Sequence, residues 1–182
     1  DAIAWPACIS YVNSVGAVYD ANFGTYTPCI DASSCALTKT ATGGCSSGYY
    51  ATDNTSPDMV TSYSNSASFL TLFAPSNKAY TTDIAGTGGY AAGDYATSFG
   101  GTSAACPYAA GAAAVLQSAA RDRTGAYLTP AQIRQYLVDN GDNIADSKPS
   151  GITRPRVNLG DAVDTLPWNY YPLTVDKNGT GS

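Results

Sequence analysis

The stretch Gly101-Thr102-Ser103-Ala104-Ala105-Cys106-Pro107-Tyr108-Ala109-Ala110-Gly111 places a glycine turn and two hydroxyl residues at the mouth of an alanine-rich segment. The composition from there predicts a helix over residues 104–121, with Pro107 near its start, where a missing N–H costs least, and Gly125 as its stop. The Ala109-Ala110-Gly111-Ala112-Ala113-Ala114 run is small and apolar on every side, so the helix is expected to be buried and closely approached all round. A serine hydroxyl is a weak nucleophile unless a base takes its proton and donors stabilise the oxyanion formed on attack. Helix N-termini supply free N–H groups and a favourable dipole for that oxyanion. Ser103 could offer its own N–H to it, while Gly100 and Gly101 keep side chains out of the approach. A deeply buried helix would also hold the hydroxyl in place. The competing reading is structural, since Ser and Thr are preferred helix caps and a bare Gly-Thr-Ser is most often only that.

Outward from this stretch the chain reads as alternating elements. Residues 12–18 form a short strand in which Gly16 marks a close backbone approach. Phe69-Leu70-Thr71-Leu72-Phe73-Ala74 is a buried strand ended by Pro75. Gly86-Thr87-Gly88-Gly89 is a turn, and residues 90–99 read as a weakly patterned strand or hairpin leading into the serine turn. A second helix is capped by Thr129, has Pro130 in its first turn, carries Ile133, Tyr136 and Leu137 on one face, and ends at Gly141. A short apolar segment, Val157-Asn158-Leu159, follows. From Pro167 onward helical pattern is lost.

The chain has 182 residues, of which 44% are hydrophobic and 13% charged, with a net charge of −5. That length suffices for one domain with a real core, and the sparse charge is well below the roughly 25% of an ordinary soluble domain. The acidic balance argues against nucleic acid or an anionic membrane as partner, and the apolar run over residues 109–116 is too short to span a bilayer. Three of the five cysteines, Cys29, Cys35 and Cys45, crowd the polar stretch of residues 25–58. This stretch reads as a long loop or insertion tied by disulfides, with a zinc site as the rival reading. The odd count leaves one thiol free or paired outside the chain, and the pairing is open.

Gly101-Thr102-Ser103-Ala104-Ala105-Cys106-Pro107-Tyr108-Ala109-Ala110-Gly111 resembles the active-site serine motif of the subtilases, Gly-Thr-Ser-x-Ala-x-Pro-x-x-Ala-Gly. Trp5-Pro6-Ala7-Cys8 with Asn13-Ser14-Val15-Gly16-Ala17-Val18 is similar to a strand segment of that family. So are Tyr63-Ser64-Asn65-Ser66-Ala67 with Leu72-Phe73-Ala74-Pro75, and Gly151-Ile152-Thr153-Arg154-Pro155-Arg156-Val157-Asn158, in the expected order over roughly residues 1–165. The resemblance implies an α/β domain with a mainly parallel sheet and helices on both faces, of which this is only the C-terminal portion. It also implies secreted, bacterial endopeptidase activity on polypeptides by acyl transfer to Ser103 and then hydrolysis. In the family the catalytic Asp and His and the oxyanion-hole Asn precede the matched segment, and this chain contains no histidine. Ser103 alone therefore transfers as catalytic, and the implied partner is an N-terminal segment of the same catalytic domain. Without it the chain is expected to be inactive and to expose open strand edges. Ala4-Trp5-Pro6 resembles one wall of the primary specificity pocket.

Tyr108 stands where many family members have a non-catalytic histidine, a volume that tyrosine can fill. Cys106, three residues past Ser103, could be taken for a reactive thiol, but is expected to be a buried structural cysteine or a disulfide partner. No cofactor is expected in this chain. Asp139-Asn140-Gly141-Asp142-Asn143 and Asp146 offer weak support for calcium, but their spacing is not that of a calcium loop, and a polar turn explains them better. Residues 166–182 read as a linker, with 173–182 similar to the first strand of an appended β domain. The alternative to a peptidase part is a non-catalytic structural, binding or self-assembling module that retains subtilase architecture, and the lack of histidine favours it.

Overall fold

The computed structural model describes residues 2–32, 41–149 and 151–169. Along the chain, β1 (Val15–Val18) is followed by five short strands, β2 (Thr25–Tyr26), β3 (Cys29–Asp31), β4 (Ala41–Gly44), β5 (Gly48–Ala51) and β6 (Asp53–Asn54). Next come β7 (Leu72–Pro75), the pair β8 (Ala79–Thr82) and β9 (Tyr95–Phe99), and the long helix α1 (Thr102–Thr124). Helix α2 (Pro130–Asp139), strands β10 (Asp142–Ala145) and β11 (Thr153–Arg156), and α3 (Leu159–Asp164) complete the domain. Residues 173–182, with their similarity to an appended β domain, and Cys35 lie outside the described residues.

The organising sheet has the order β1-β7-β11-β10. β1 and β11 both run parallel to β7, whereas β10 and β11 form an antiparallel pair, so the sheet is mixed rather than wholly parallel. β1 and β7 carry almost unbroken apolar runs, as strands covered on both faces do. Gly16 is required there: a Cβ at that position would fall 2.5 Å from the Phe73 ring. One core cluster joins Ala17, Leu72 and Ala74 of the sheet to the alanines of α1, Leu137 of α2 and Ala162 of α3. The opposite pleat puts Val18 and Phe73 against Val60 and Leu70, backed by Ile3, Ile144 and Ile152, so the described helices all feed one core and loops cover the other.

The outer edge of β1 is not open along its length. Thr61 N–H donates to Ala17 O, Tyr19 N–H donates to Met59 O, and Val18 and Val60 form an antiparallel bridge. Residues 59–61 therefore shield the edge that was expected to invite association.

The described residues of the 25–58 stretch are also more ordered than a loop. They hold an antiparallel sheet of order β3-β5-β4 and a second pair, β2-β6, with Cys29 and Cys45 joined in a disulfide. That bond removes the zinc reading for these two thiols. The strands were illegible because β4 is exposed throughout, so no apolar alternation announces it.

The two long helices differ in how their sequences specify them. α2 has a complete capping box: Thr129 N–H donates to Gln132 Oε1 at 2.8 Å, and Gln132 N–H donates to Thr129 Oγ1 at 3.3 Å. α1 has no side-chain cap, starts from Gly101 at φ +78° and stops at Gly125 in the left-handed region. Its burial corrects the expectation above. Ala105, Ala109, Ala112, Leu116 and Ala120 lie against the core at helical spacing, but Cys106, Tyr108, Ala110, Gly111, Ala114 and Val115 are exposed. Small side chains let one face approach the sheet closely, and no described element covers the other.

Candidate active site

Gly101 sets the geometry of the site. Its φ of +78° is comfortable only for a residue without Cβ, and from it Ala104 N–H returns to Gly101 O at 2.9 Å. Thr102 and Ser103 become the first two residues of α1, so their N–H groups belong to the set that a helix leaves unpaired. Ser103 is exposed, and its hydroxyl has no hydrogen-bond partner among the described residues. The helix cap is Gly101, so the capping reading of Ser103 does not hold. A solvent-facing hydroxyl and its own free N–H stand together at the positive end of a 23-residue helix.

Beside it opens an apolar groove of about 510 Å3, walled by Pro75 at the end of β7, Tyr80 and Phe99 of the β8-β9 pair, and Ala104, Pro107 and Tyr108 of α1. Tyr108 is 48% exposed and lines this groove. Cys106 is a free, exposed thiol, which corrects its reading as a buried structural residue. Helical geometry turns it away from the core face that Ala105 and Ala109 occupy. Trp5, linked to Pro6 by a cis peptide bond, is 78% exposed and is not part of the groove.

The carboxylates weighed for calcium are engaged elsewhere. Asp139 accepts from Gln135 Nε2, and Asp142 pairs with Arg156 at 2.7 Å. Asp146 is buried, accepts from Ser66 Oγ and lies 3.4 Å from Lys148 Nζ. The Lys148 ammonium also donates to Thr61 O at 3.1 Å and Ser64 O at 2.6 Å, the work of a bound cation done by a side chain. Burial pulls Lys148 below the usual lysine range, with the Asp146 charge opposing. Among the described residues no three His, Cys, Asp or Glu side chains converge.

A second buried network was not read from the sequence. Asp53 accepts from Tyr19 Oη at 2.7 Å, from Ser62 N–H at 2.9 Å and from the Ser62 hydroxyl. Burial first, and then the Asp53 hydrogen bond and charge, push the Tyr19 hydroxyl far above the ordinary tyrosine range. Tyr63 Oη meets Ser76 Oγ at 2.8 Å, and burial pushes that hydroxyl up as well. The sequence signal was indirect: acidic and tyrosine residues inside segments that also hold fully buried serines.

A mixed sheet with parallel strands and, among the described residues, three helices defines an α/β domain, with Ser103 exposed at the mouth of the longest helix. The chain belongs to the subtilase family, the subtilisin-like peptidases, whose family model matches residues 1–156. No curated protein matches the chain. No described helix is long and apolar enough to cross a membrane.

Proposed function

We propose that this chain is the serine-bearing C-terminal part of a secreted subtilisin-like endopeptidase, with Ser103 as the nucleophile. The carrying observation is that the Ser103 hydroxyl, at a helix mouth with no side-chain cap, is exposed and has no hydrogen-bond partner among the described residues. Attack on a peptide carbonyl would form the Ser103 ester, with the Ser103 N–H donating to the oxyanion. Loss of the amine and entry of water would then release the acid and restore the hydroxyl. The base cannot be a histidine of this chain, which has none. An N-terminal segment of the same catalytic domain supplies His, Asp and the oxyanion-hole Asn, and the helices of the second face.

The bare outer face of α1 and the groove beside Ser103 support this reading, because they offer apolar surface where such a segment must pack to bring a base to the hydroxyl. The Cys29–Cys45 disulfide and the sparse charge support an extracytoplasmic setting, bacterial by resemblance. A polypeptide is the substrate. A non-catalytic module is the second reading, favoured by the lack of histidine. Peptide hydrolysis by material from the native source separates the two. The peptidase reading expects activity that travels with a second, histidine-containing segment and is abolished by Ser103→Ala. Activity unaffected by that change, or none with the second segment bound, contradicts it.

A further inference from the structure

At the other end of the parallel pair, before β1 and β7 begin, lies a second cleft of about 480 Å3 that the peptidase reading leaves unused. Arg134 from α2 and Arg154 from β11 both line it, and no Asp or Glu does. Arg134 has no ion-pair or hydrogen-bond partner among the described residues. Arg154 donates only to neutral oxygens, from Nη1 to Thr153 O at 3.0 Å and from Nη2 to Ser68 O.

Two other arginines behave differently. Arg156 meets Asp58 at 2.6 Å and Asp142 at 2.7 Å, and Arg123 lies 3.9 Å from Asp164. In a chain of net charge −5, the cleft thus gathers two guanidinium groups with no counter-charge, and its walls concentrate their field. Cys8 and Ser10 add exposed polar tips. Phe69, 51% exposed, and Val12, 38% exposed, give the cleft an apolar wall beside the hydroxyls of Ser14, Ser68 and Thr71.

We propose that this cleft binds an organic carboxylate, with Arg134 and Arg154 taking the carboxylate and Phe69 and Val12 covering an apolar body. Guanidinium forks match a carboxylate in two parallel hydrogen bonds, and the apolar wall separates such a ligand from a bare phosphate, which shares only the oxyanion. The inference is independent of Ser103.

The chain carries its own reporter. Cys8 and Cys106 are both free and exposed, but only Cys8 lines the cleft. Alkylation of the full chain by iodoacetate and by iodoacetamide, read at each thiol by peptide mass mapping, compares an anionic with a neutral probe. The expected iodoacetate-to-iodoacetamide rate ratio at Cys8 is about tenfold that at Cys106 in low salt, falling toward it in about 0.5 M salt. Phenylbutyrate is expected to protect Cys8 at concentrations where inorganic phosphate does not, and to leave Cys106 unprotected. Arg134→Gln and Arg154→Gln should each lower the ratio at Cys8 without changing that at Cys106, with an unchanged urea unfolding midpoint to show that the fold is intact. Equal ratios at the two thiols in the unaltered chain would overturn the site. Equal protection by phosphate would overturn the ligand class.

Discussion

The mouth of α1 and the segment of residues 61–66 are both rich in hydroxyl groups, and they hold them in opposite ways. Ser64 and Ser66 are fully buried and committed: Ser64 Oγ accepts from Ala17 N–H at 3.0 Å and donates to Asn65 O at 3.2 Å, while Ser66 Oγ donates to Asp146. Ser62 gives both its N–H and its hydroxyl to Asp53. These hydroxyls fasten residues 53–66 to β1 and to the β10-β11 hairpin, where an unsatisfied polar group would cost stability. Ser103 is exposed and fastened to nothing, because Gly101 starts the helix without a side-chain cap. The same side chain thus serves as an internal fastener in one region and stands exposed in the other.

Substitutions can sharpen that contrast. Ser103→Ala in the complemented enzyme is expected to lower kcat/KM by at least about 10,000-fold and to move Tm by no more than about 2 °C, since the side chain touches no partner. A large loss of Tm would instead make Ser103 structural. Asp53→Ala should do the reverse, costing about 3 kcal/mol in urea unfolding by stranding the Tyr19 and Ser62 donors. Below about 1 kcal/mol, the buried network would not be holding the fold. Cys45→Ser removes a bridge spanning 16 residues and should cost about 2–3 kcal/mol, with hydrogen-exchange protection lost first in β3, β4 and β5. Uniform loss across the central sheet would contradict the local role assigned to the insertion.

The smallest expected effect is alkaline. Tyr19 and Tyr63 bind their protons more tightly folded than unfolded, so the stability they contribute is complete below the ordinary tyrosine value of 10.0 and is lost as pH rises above it. Lys148 has the opposite sign: lowered by burial, it lets stability rise as pH climbs toward its ordinary 10.5. Tyr19→Phe should therefore flatten the fall in urea midpoint above about pH 10. An unchanged slope would show that Tyr19 titrates as an exposed phenol.

Local chemistry made part of this legible in advance. The Thr129 and Gln132 pair with Pro130 marks α2 because a capping box is contained in four residues, and the close approach at Gly16 is confirmed against Phe73. The exposed face of α1 was misread because an alanine run states how closely neighbours can approach, not whether neighbours are present on every side. Phe69 was assigned to a buried strand yet is 51% exposed, since β7 starts only at Leu72 and the turn before it carries Phe69 into the second cleft. The eleven-residue motif singles out Ser103, and the structure places that residue exposed at the start of α1. The Arg134 and Arg154 cleft was not, because the two residues meet only when α2 packs on β11, and no local pattern encodes that.

The central claim, that Ser103 is a free nucleophile awaiting its base, is tested most directly by fluorophosphonate labelling with the modified residue located by mass spectrometry. The chain would be labelled alone and together with the histidine- and aspartate-bearing segment from its native source. The prediction is stoichiometric label on Ser103 in the two-part material, little on the isolated chain, and none on Ser103→Ala. Label on a different hydroxyl, or none at Ser103 with the second segment in place, would contradict it.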